Sequence, residues 1–494
     1  MRADGFDRVV CRYYASGVWV STTALHSGCG RGALDTSVDA ALVRDSDGRY
    51  LLPAASLAGA IRSRLARRFA ASVVDFQNSG EPPELEVMFG GRDAKSGYAS
   101  LLVIDDSLAE GQPVPAIRDG VRIDPVNGLP WQASGKGAVF NLQVLPAGTS
   151  FPLCLELQLY QQNPEGVEEE DLLQCFRAAL EELSAEDGIR LGARTRRGYG
   201  CGKVGSWEIY RLDMSKKDHV LAWLGRNPRG GERIALTDLP APAQAGPALA
   251  RFRIQASFRL LTSLLIRSAP SGPQEPDQVH LTENGKALLT GTSLAGAVRH
   301  RCLRIAKTLK LENPGALLDD LFGPQISDNA KAKLDPRAGR IWFGESVVEH
   351  GERYVQGRVS IDRFTGGAKE ALLFDEAPFF PSANDQQVEL RVAVDQPDPC
   401  DVGLLALAIK DLWLGDLPLG GEVAVGRGVF AGAQATFEAS DGRRFTMKAQ
   451  AGGLTLEGDA EWLESAVRGL PAAAGGWGER HPLPEALPEE AVHE

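Results

Sequence analysis

The sequence predicts an α+β protein made of two tandem domains of ferredoxin-like type. The first observation behind this is a long internal repeat. Ser56-Leu-Ala-Gly-Ala-Ile-Arg62 returns as Ser293-Leu-Ala-Gly-Ala-Val-Arg299, an offset of 237. Phe89-Gly90 returns as Phe322-Gly323, Ile123-Asp124 as Ile361-Asp362, and Arg197-Gly198 as Arg427-Gly428, at offsets of 233, 238 and 230. Four landmarks in one order describe a duplicated domain, because the period is far too long for a solenoid unit. The second observation is the order of elements in each half: strand, helix, strand, strand, helix, strand, which is the ferredoxin-like series.

Each element has a local reason. Residues 9–21 (VVCRYYASGVWVS) are β-branched and aromatic, and 251–261 (RFRIQASFRLL) alternate apolar with polar, so both read as first strands. Helices are expected near 56–72 and 293–309, with Ser56 and Ser293 at the N-cap. Irregular stretches follow at 75–135 and 311–370, and loops that long are usually functional. Strands return at 138–144 with 151–160, and at 371–374 with 387–394. Second helices are expected at 169–184 and 401–414. Glycine-rich loops at 192–202 and 420–428 lead into closing strands at 203–211 and 429–437. The domains are therefore placed at 1–240 and 251–470, joined by a Pro/Ala linker at 241–250. A Pro/Gly/Glu-rich tail at 471–494 is expected to be mobile.

Composition narrows the function. Over 494 residues, 43% hydrophobic and 24% charged is ordinary for a globular protein. A net charge of −12 excludes a molecule that holds nucleic acid by bulk charge. The seven cysteines form no CxxC pair, so they read as reduced thiols of the cytoplasm rather than a disulfide frame or zinc site. The opening MRADGFDRVV lacks the apolar core of a signal peptide, and no apolar run approaches the roughly 20 residues that cross a bilayer. A cytoplasmic location without a membrane partner is expected. GxSxG, Walker and HExxH motifs are absent from the sequence.

Three constellations could carry chemistry. Small-residue turns lead into basic helices that hold Arg62 in one half and Arg299 in the other. A helix N-terminus with free N–H groups suits a phosphate, although a helix with a solvated basic face explains the same residues. Residues 190–203 hold Arg190, Arg194, Arg196, Arg197 and Lys203 among four glycines, a composition that grips phosphate. The second copy keeps the glycines around Arg427-Gly428 and loses most of the charge. The loop after strand one carries His26, Asp35 and Asp39. A carboxylate there could activate a ribose 2′-hydroxyl or hold a divalent ion, and loop solvation is the plain alternative.

The ordered set resembles the RAMP superfamily of CRISPR systems, and within it the backbone subunits of type III effector complexes. The residues that carry the resemblance are Leu25-His26-Ser27-Gly28, Asp39 through Arg44-Asp45, the two SLxGxxR helices and Phe89-Gly90-Gly91. To these are added Leu191-Gly192 through Gly200, and Ile361-Asp362-Arg363-Phe364-Thr365-Gly366. The tandem arrangement resembles the fused backbone subunits of type III-D-like complexes. The resemblance implies an RRM-like palm with a long β-hairpin thumb in each half, and thumbs that displace bases along a guide RNA. It implies an endoribonuclease that cuts complementary target RNA through a loop aspartate, with a divalent metal ion, Mg²⁺ by family habit, and no organic cofactor. Asp39 is then the catalytic residue of half one and the only candidate metal ligand, with His26 beside it. Asp277 is the comparable carboxylate of half two, where nothing matches His26. The RNA-binding candidates are Ser56, Arg62, Ser293, Arg299, Arg194, Arg196, Arg197, Gly198, Arg363, Arg427 and Gly428. The implied partners are guide RNA, target RNA and other CRISPR effector subunits. A non-catalytic guide scaffold, a metal-independent guide-processing endoribonuclease using His26, and an accessory RAMP protein stay open as alternatives.

Overall fold

The computed structural model describes residues 8–30, 38–69, 81–91, 97–121, 123, 132–133, 136–137, 139–242, 250–270, 272, 274–324, 338–382, 388–450 and 453–475. The linker (243–249), the loop segment 31–37 and the tail from 476 lie outside them. The chain is α+β and forms two compact units. The first holds 1–116, 142–195 and 199–249. The second holds 250–494 together with 117–141 and 196–198.

In the first unit, β1 (Val9–Ser21), α1 (Ala54–Phe69), α2 (Pro83–Phe89), β2 (Leu102–Ile104), β3 (Ser150–Tyr160), α3 (Glu169–Ser184), β4 (Gly202–Asp213) and β5 (Glu232–Ile234) follow in order. The sheet order is β5-β4-β1-β3-β2, antiparallel throughout, so β1 lies between β3 and β4, the strands on either side of α3. Period-two patterning explains the layer. Phe151, Leu153, Leu155, Leu157 and Leu159 of β3 are all buried and share one core with Leu57, Ile61 and Leu65 of α1 and Leu172, Phe176, Leu180 and Leu183 of α3. Burying such side chains contributes roughly 1.5–3 kcal/mol each, the main term holding the helices on the sheet.

The second unit repeats the plan with β6 (Arg251–Leu260), β7 (Gln278–His280), α4 (Gly291–Thr308), α5 (Pro314–Phe322), β8 (Ile341–Phe343), β9 (Gln356–Ile361), β10 (Ala368–Ala377), β11 (Val388–Asp395), α6 (Pro399–Trp413) and β12 (Phe430–Ala439). Strands β13 (Arg444–Gln450) and β14 (Gly453–Gly458) widen its sheet to β8-β11-β6-β12-β13-β14. The alternation read in the sequence of β6 is the alternation of burial: Phe252, Ile254, Ala256, Phe258 and Leu260 face the core. Two further helices, α7 (Ala460–Arg468) and α8 (Leu470–Gly475), pack on α6, so residues 471–475, placed in the tail by composition, are helical with Ala474 buried.

Two expectations need correcting. The stretches 75–135 and 311–370 are not simply irregular. Each contains a short helix, α2 or α5, and a strand, β2 or β8, that joins the main sheet. These elements are too short for periodicity to reveal. Nor do the helices start at the serines. α1 begins at Ala54 and α4 at Gly291, where Thr290 is the N-cap and accepts the N–H of Ser293.

The repeated FG landmark has a structural cause. Gly90 and Gly323 end α2 and α5 at φ 91° and 89°, a left-handed turn that glycine adopts without a Cβ penalty. The carbonyl of each accepts the guanidinium of the preceding SLxGxxR helix: Arg62 reaches Gly90 at 3.3 Å and Arg299 reaches Gly323 at 2.6 Å. Each arginine also pairs with a carboxylate, Glu81 or Asp319, and lies over the landmark phenylalanine, Phe89 or Phe322, at 5.9 and 5.7 Å from the ring centre. One contact therefore joins two landmarks in both copies. Arg62→Ala and Arg299→Ala are each expected to lower stability by about 2 kcal/mol in urea unfolding, and lysine is expected not to restore it, since it cannot make the fork.

Candidate functional site

The loop aspartates are fixed by main-chain pairing. Asp39 is exposed and precedes Ala40, which forms a parallel bridge to Leu142 and accepts the N–H of Gln143 at 3.0 Å. Downstream, Val43 donates to Ser27 O at 2.8 Å, closing the loop on the exit of β1. Asp277 is exposed and precedes Gln278, which pairs in parallel with Glu376 of β10. There Leu281 donates to Ile266 O at 2.8 Å. Position for position, Asp39 corresponds to Asp277. The Asp277 carboxylate accepts the N–H of Asp375 at 3.0 Å.

His26 is buried. Its Nδ1 lies 2.7 Å from the carbonyl of Gln143, so that ring nitrogen carries the proton and donates. Burial lowers its pKa, which keeps the ring neutral, and Arg194 acts in the same direction. The backbone oxygen of His26 accepts Ala193 N–H at 2.9 Å, tying the strand-one exit to the glycine loop. Leu265 holds the corresponding place and accepts Gly421 N–H at 2.7 Å. The imidazole thus braces the loop rather than facing solvent.

The closing loops correct the repeat alignment by two residues. Leu191 donates to Gly200 O and Leu419 to Gly428 O, both at 2.9 Å, while Gly200 donates to Ala24 O and Gly428 to Ser263 O. Gly428 therefore matches Gly200, Arg427 matches Tyr199, and Arg197 has Val425 as its counterpart. Both Gly200 and Gly428 have positive φ, and a Cβ on either would stand 1.8 Å from a carbonyl oxygen. That geometry, not phosphate contact, requires glycine at 428.

The sequence-predicted cations separate into two groups. Tied into protein are Arg62 and Arg299, as above, and Arg196, whose guanidinium pairs with Asp395 at 2.8 Å. The most deeply held is Arg427, 3% exposed, which donates to Ser263, Gln356, Glu376 and Glu422. Arg194 is half-buried at φ 59°. Exposed, with no ion pair or hydrogen bond among the described residues, are Arg197 and Arg363. Gly198 is buried at φ 89°, where a Cβ would stand 2.9 Å from Glu345 N.

The helix starts are closed to phosphate. Asp106 already accepts Ala54 N–H at 2.7 Å, a carboxylate where an anion would bind. At α4, Gly291 is buried, and a Cβ on it would lie 2.5 Å from Arg197 O. Ser56 and Ser293 consequently lie one turn inside their helices and cap nothing. The basic face of α1 is neutralised as well, Arg64 and Arg68 pairing with Glu181 and Glu182 of α3.

Two features have a geometry that the sequence did not reveal. The hairpin β9–β10 ends in a turn built by Asp362, whose carboxylate accepts the N–H groups of Phe364 and Thr365, both at 2.9 Å, and the Thr365 hydroxyl. Those donors hold its pKa below the usual carboxylate range. The turn presents Arg363 and a Phe364 that is 99% exposed, a placement that core packing does not explain. In the second unit Arg118 is also clasped by Glu345 and, at 3.1 Å, by Glu283, all largely buried. A lone arginine in a polar stretch carried no sequence signal for that. The first copy's segment 124–131, read from the sequence as its counterpart, lies outside the described residues.

Among the described residues no group of three or more His, Cys, Asp or Glu is placed to hold a metal ion. No helix is long and apolar enough to cross a membrane.

Burial has a titration consequence at His280, which is fully buried on β7 with Nδ1 accepting Ile266 N–H at 3.1 Å. Desolvation lowers its pKa to about 4, from 6.5. The folded state then binds fewer protons than the unfolded one between those values, so stability is complete above pH 6.5 and falls as pH drops toward 4. The loss is about 3 kcal/mol from this group alone. Urea unfolding of wild type and His280→Gln across that range checks it: the variant is expected to lose the acid-side slope.

The family model of the RAMP superfamily matches residues 20–203 and, a second time, 257–431. Comparison with curated proteins finds no match.

Proposed function

Because the chain belongs to the RAMP superfamily, matched once in each half, we propose that it is a guide-RNA-binding backbone subunit of a type III CRISPR effector complex and that it cuts complementary RNA at Asp39. In this reading each half, 1–240 and 251–470, is a ferredoxin-like palm. Support comes from the sheets, where β1 lies between β3 and β4, and β6 between β11 and β12. The partners are guide RNA, target RNA and other effector subunits.

One observation carries the proposal. In both copies an exposed aspartate precedes a residue in parallel contact with a later strand, Leu142 of the strand Val139–Val144 or Glu376 of β10, and in the second copy the hairpin β9–β10 ends in an exposed phenylalanine beside an exposed arginine. A hairpin that pushes one base out of a duplex frees the sugar–phosphate at that point to rotate. Arg363 meets the backbone anion, and Phe364 provides the apolar wedge. At the first copy, the 2′-hydroxyl of a nucleotide whose base has been displaced there attacks the adjacent phosphorus in line. Its proton passes to the Asp39 carboxylate, the P–O5′ bond breaks, a solvent water protonates the leaving O5′, and a 2′,3′-cyclic phosphate and a 5′-hydroxyl form.

For the divalent ion that the family implies, the described residues provide no group of three or more His, Cys, Asp or Glu. No step is routed through it. A histidine-based processing activity is disfavoured by the buried, carbonyl-bound ring of His26.

The test is a cleavage map on a labelled complementary RNA. Asp39→Asn is expected to abolish one cut, with a rate loss on the order of 10²–10⁴, while guide RNA still co-purifies. An unchanged map leaves a non-catalytic scaffold. Cutting that survives EDTA unchanged excludes a required divalent ion.

A further inference from the structure

Arg427 lies in a buried ion cluster that the fold does not require. Its guanidinium spans three segments: Ser263 at the exit of β6, at 2.7 Å; Glu422 in the glycine loop, at 2.9 Å; and the hairpin root, through Gln356 at 2.9 Å and Glu376 at 2.8 Å. Arg358 of β9 adds contacts of 3.3 Å to Glu376 and to Glu422. The Glu376 side chain is wholly buried.

The corresponding place in the first unit is apolar. By the pairings above, Ser263 matches Ala24, Arg427 matches Tyr199 and Glu376 matches Leu142, and there Ala24, Leu142, Val144 and Tyr199 form a small separate hydrophobic cluster. One backbone therefore accepts either filling. Ionic and apolar fillings of one site are often close in stability, so folding alone does not account for the ions. What differs is directional. A planar guanidinium with five fixed donors sets the angle between the segments it bridges, whereas leucine and tyrosine packing leaves more freedom.

We propose that Arg427 is a positioning residue: by bridging glycine loop, strand exit and hairpin root, it fixes where Phe364 meets RNA. This rests on the reading that Phe364 displaces a base. Arg427 touches no RNA itself, so its part in recognition is indirect, in place of the RNA contact its glycine-rich surroundings led one to expect.

The test uses the full chain and a synthetic RNA duplex carrying 2-aminopurine at successive positions, whose fluorescence rises where a base is unstacked. Wild type is expected to show one strong position for the second copy. Arg427→Ala is expected to lower that signal about tenfold or spread it over neighbours, with RNA affinity within about threefold, since the phosphate contacts are untouched. Arg427→Lys, which keeps the charge but loses the fork, is expected to fall between, and is read if the alanine variant fails to fold. Glu376→Leu with Arg427→Tyr, the first unit's filling, is expected to fold with a wild-type melting temperature yet keep the broadened signal. A sharp wild-type pattern in the Arg427 variants, alongside its loss in Phe364→Ala, overturns the positioning role alone. A wild-type pattern in Phe364→Ala overturns base displacement by this residue, and the positioning role with it.

Discussion

The functional reading depends on one interaction: the main-chain pairing that fastens the aspartate loop to the root of the hairpin. Ala40 against Leu142, and Gln278 against Glu376, are both parallel contacts in otherwise antiparallel surroundings. A parallel contact needs a long connection, and each half provides one that carries its first helix and the hairpin. The consequence is geometric. A carboxylate one residue from that contact cannot drift from the hairpin, although it stands on a loop. Loops usually give up precision for access, and here a backbone hydrogen bond of ordinary length restores it.

Duplication then let two copies diverge around that constraint. Both retain the arginine that grips the FG carbonyl and the glycine that turns beneath a carbonyl 1.8 Å from where a Cβ would stand. The arginine's contacts explain why its segment is the clearest repeat in the sequence. The interior beneath the hairpin has changed from apolar to ionic. The Asp277 carboxylate accepts a hydrogen bond from the hairpin backbone.

Much of the fold was legible because period-two and helical patterning are direct consequences of burial on one face. β6 alternates in sequence and in burial, and α3 occupies 169–184 as its pattern predicts. The site was less legible, for a physical reason. Cations are expected to bind phosphate until their carboxylate partners are known, and those partners are distant in sequence: Asp395 lies 199 residues from Arg196, and Glu345 lies 227 from Arg118. Counting glycines around Arg197 and Arg427 aligned them by identity, while hydrogen bonds align Tyr199 with Arg427. Asp39 and Asp277 were recoverable because spacing to a repeated helix survives loop variation. Phe364 was in view as part of a motif, but its exposure is not a property of sequence.

The most direct measurement is a structure of the chain with guide RNA and a complementary strand whose 2′-hydroxyls are replaced by hydrogen, which traps the uncut state. The Asp39 carboxylate is expected about 3 Å from the sugar edge of the one nucleotide whose base has left the stack, the reach a proton acceptor needs. Asp39 facing the guide strand or open solvent, with the displaced nucleotide elsewhere, would contradict cleavage at this residue.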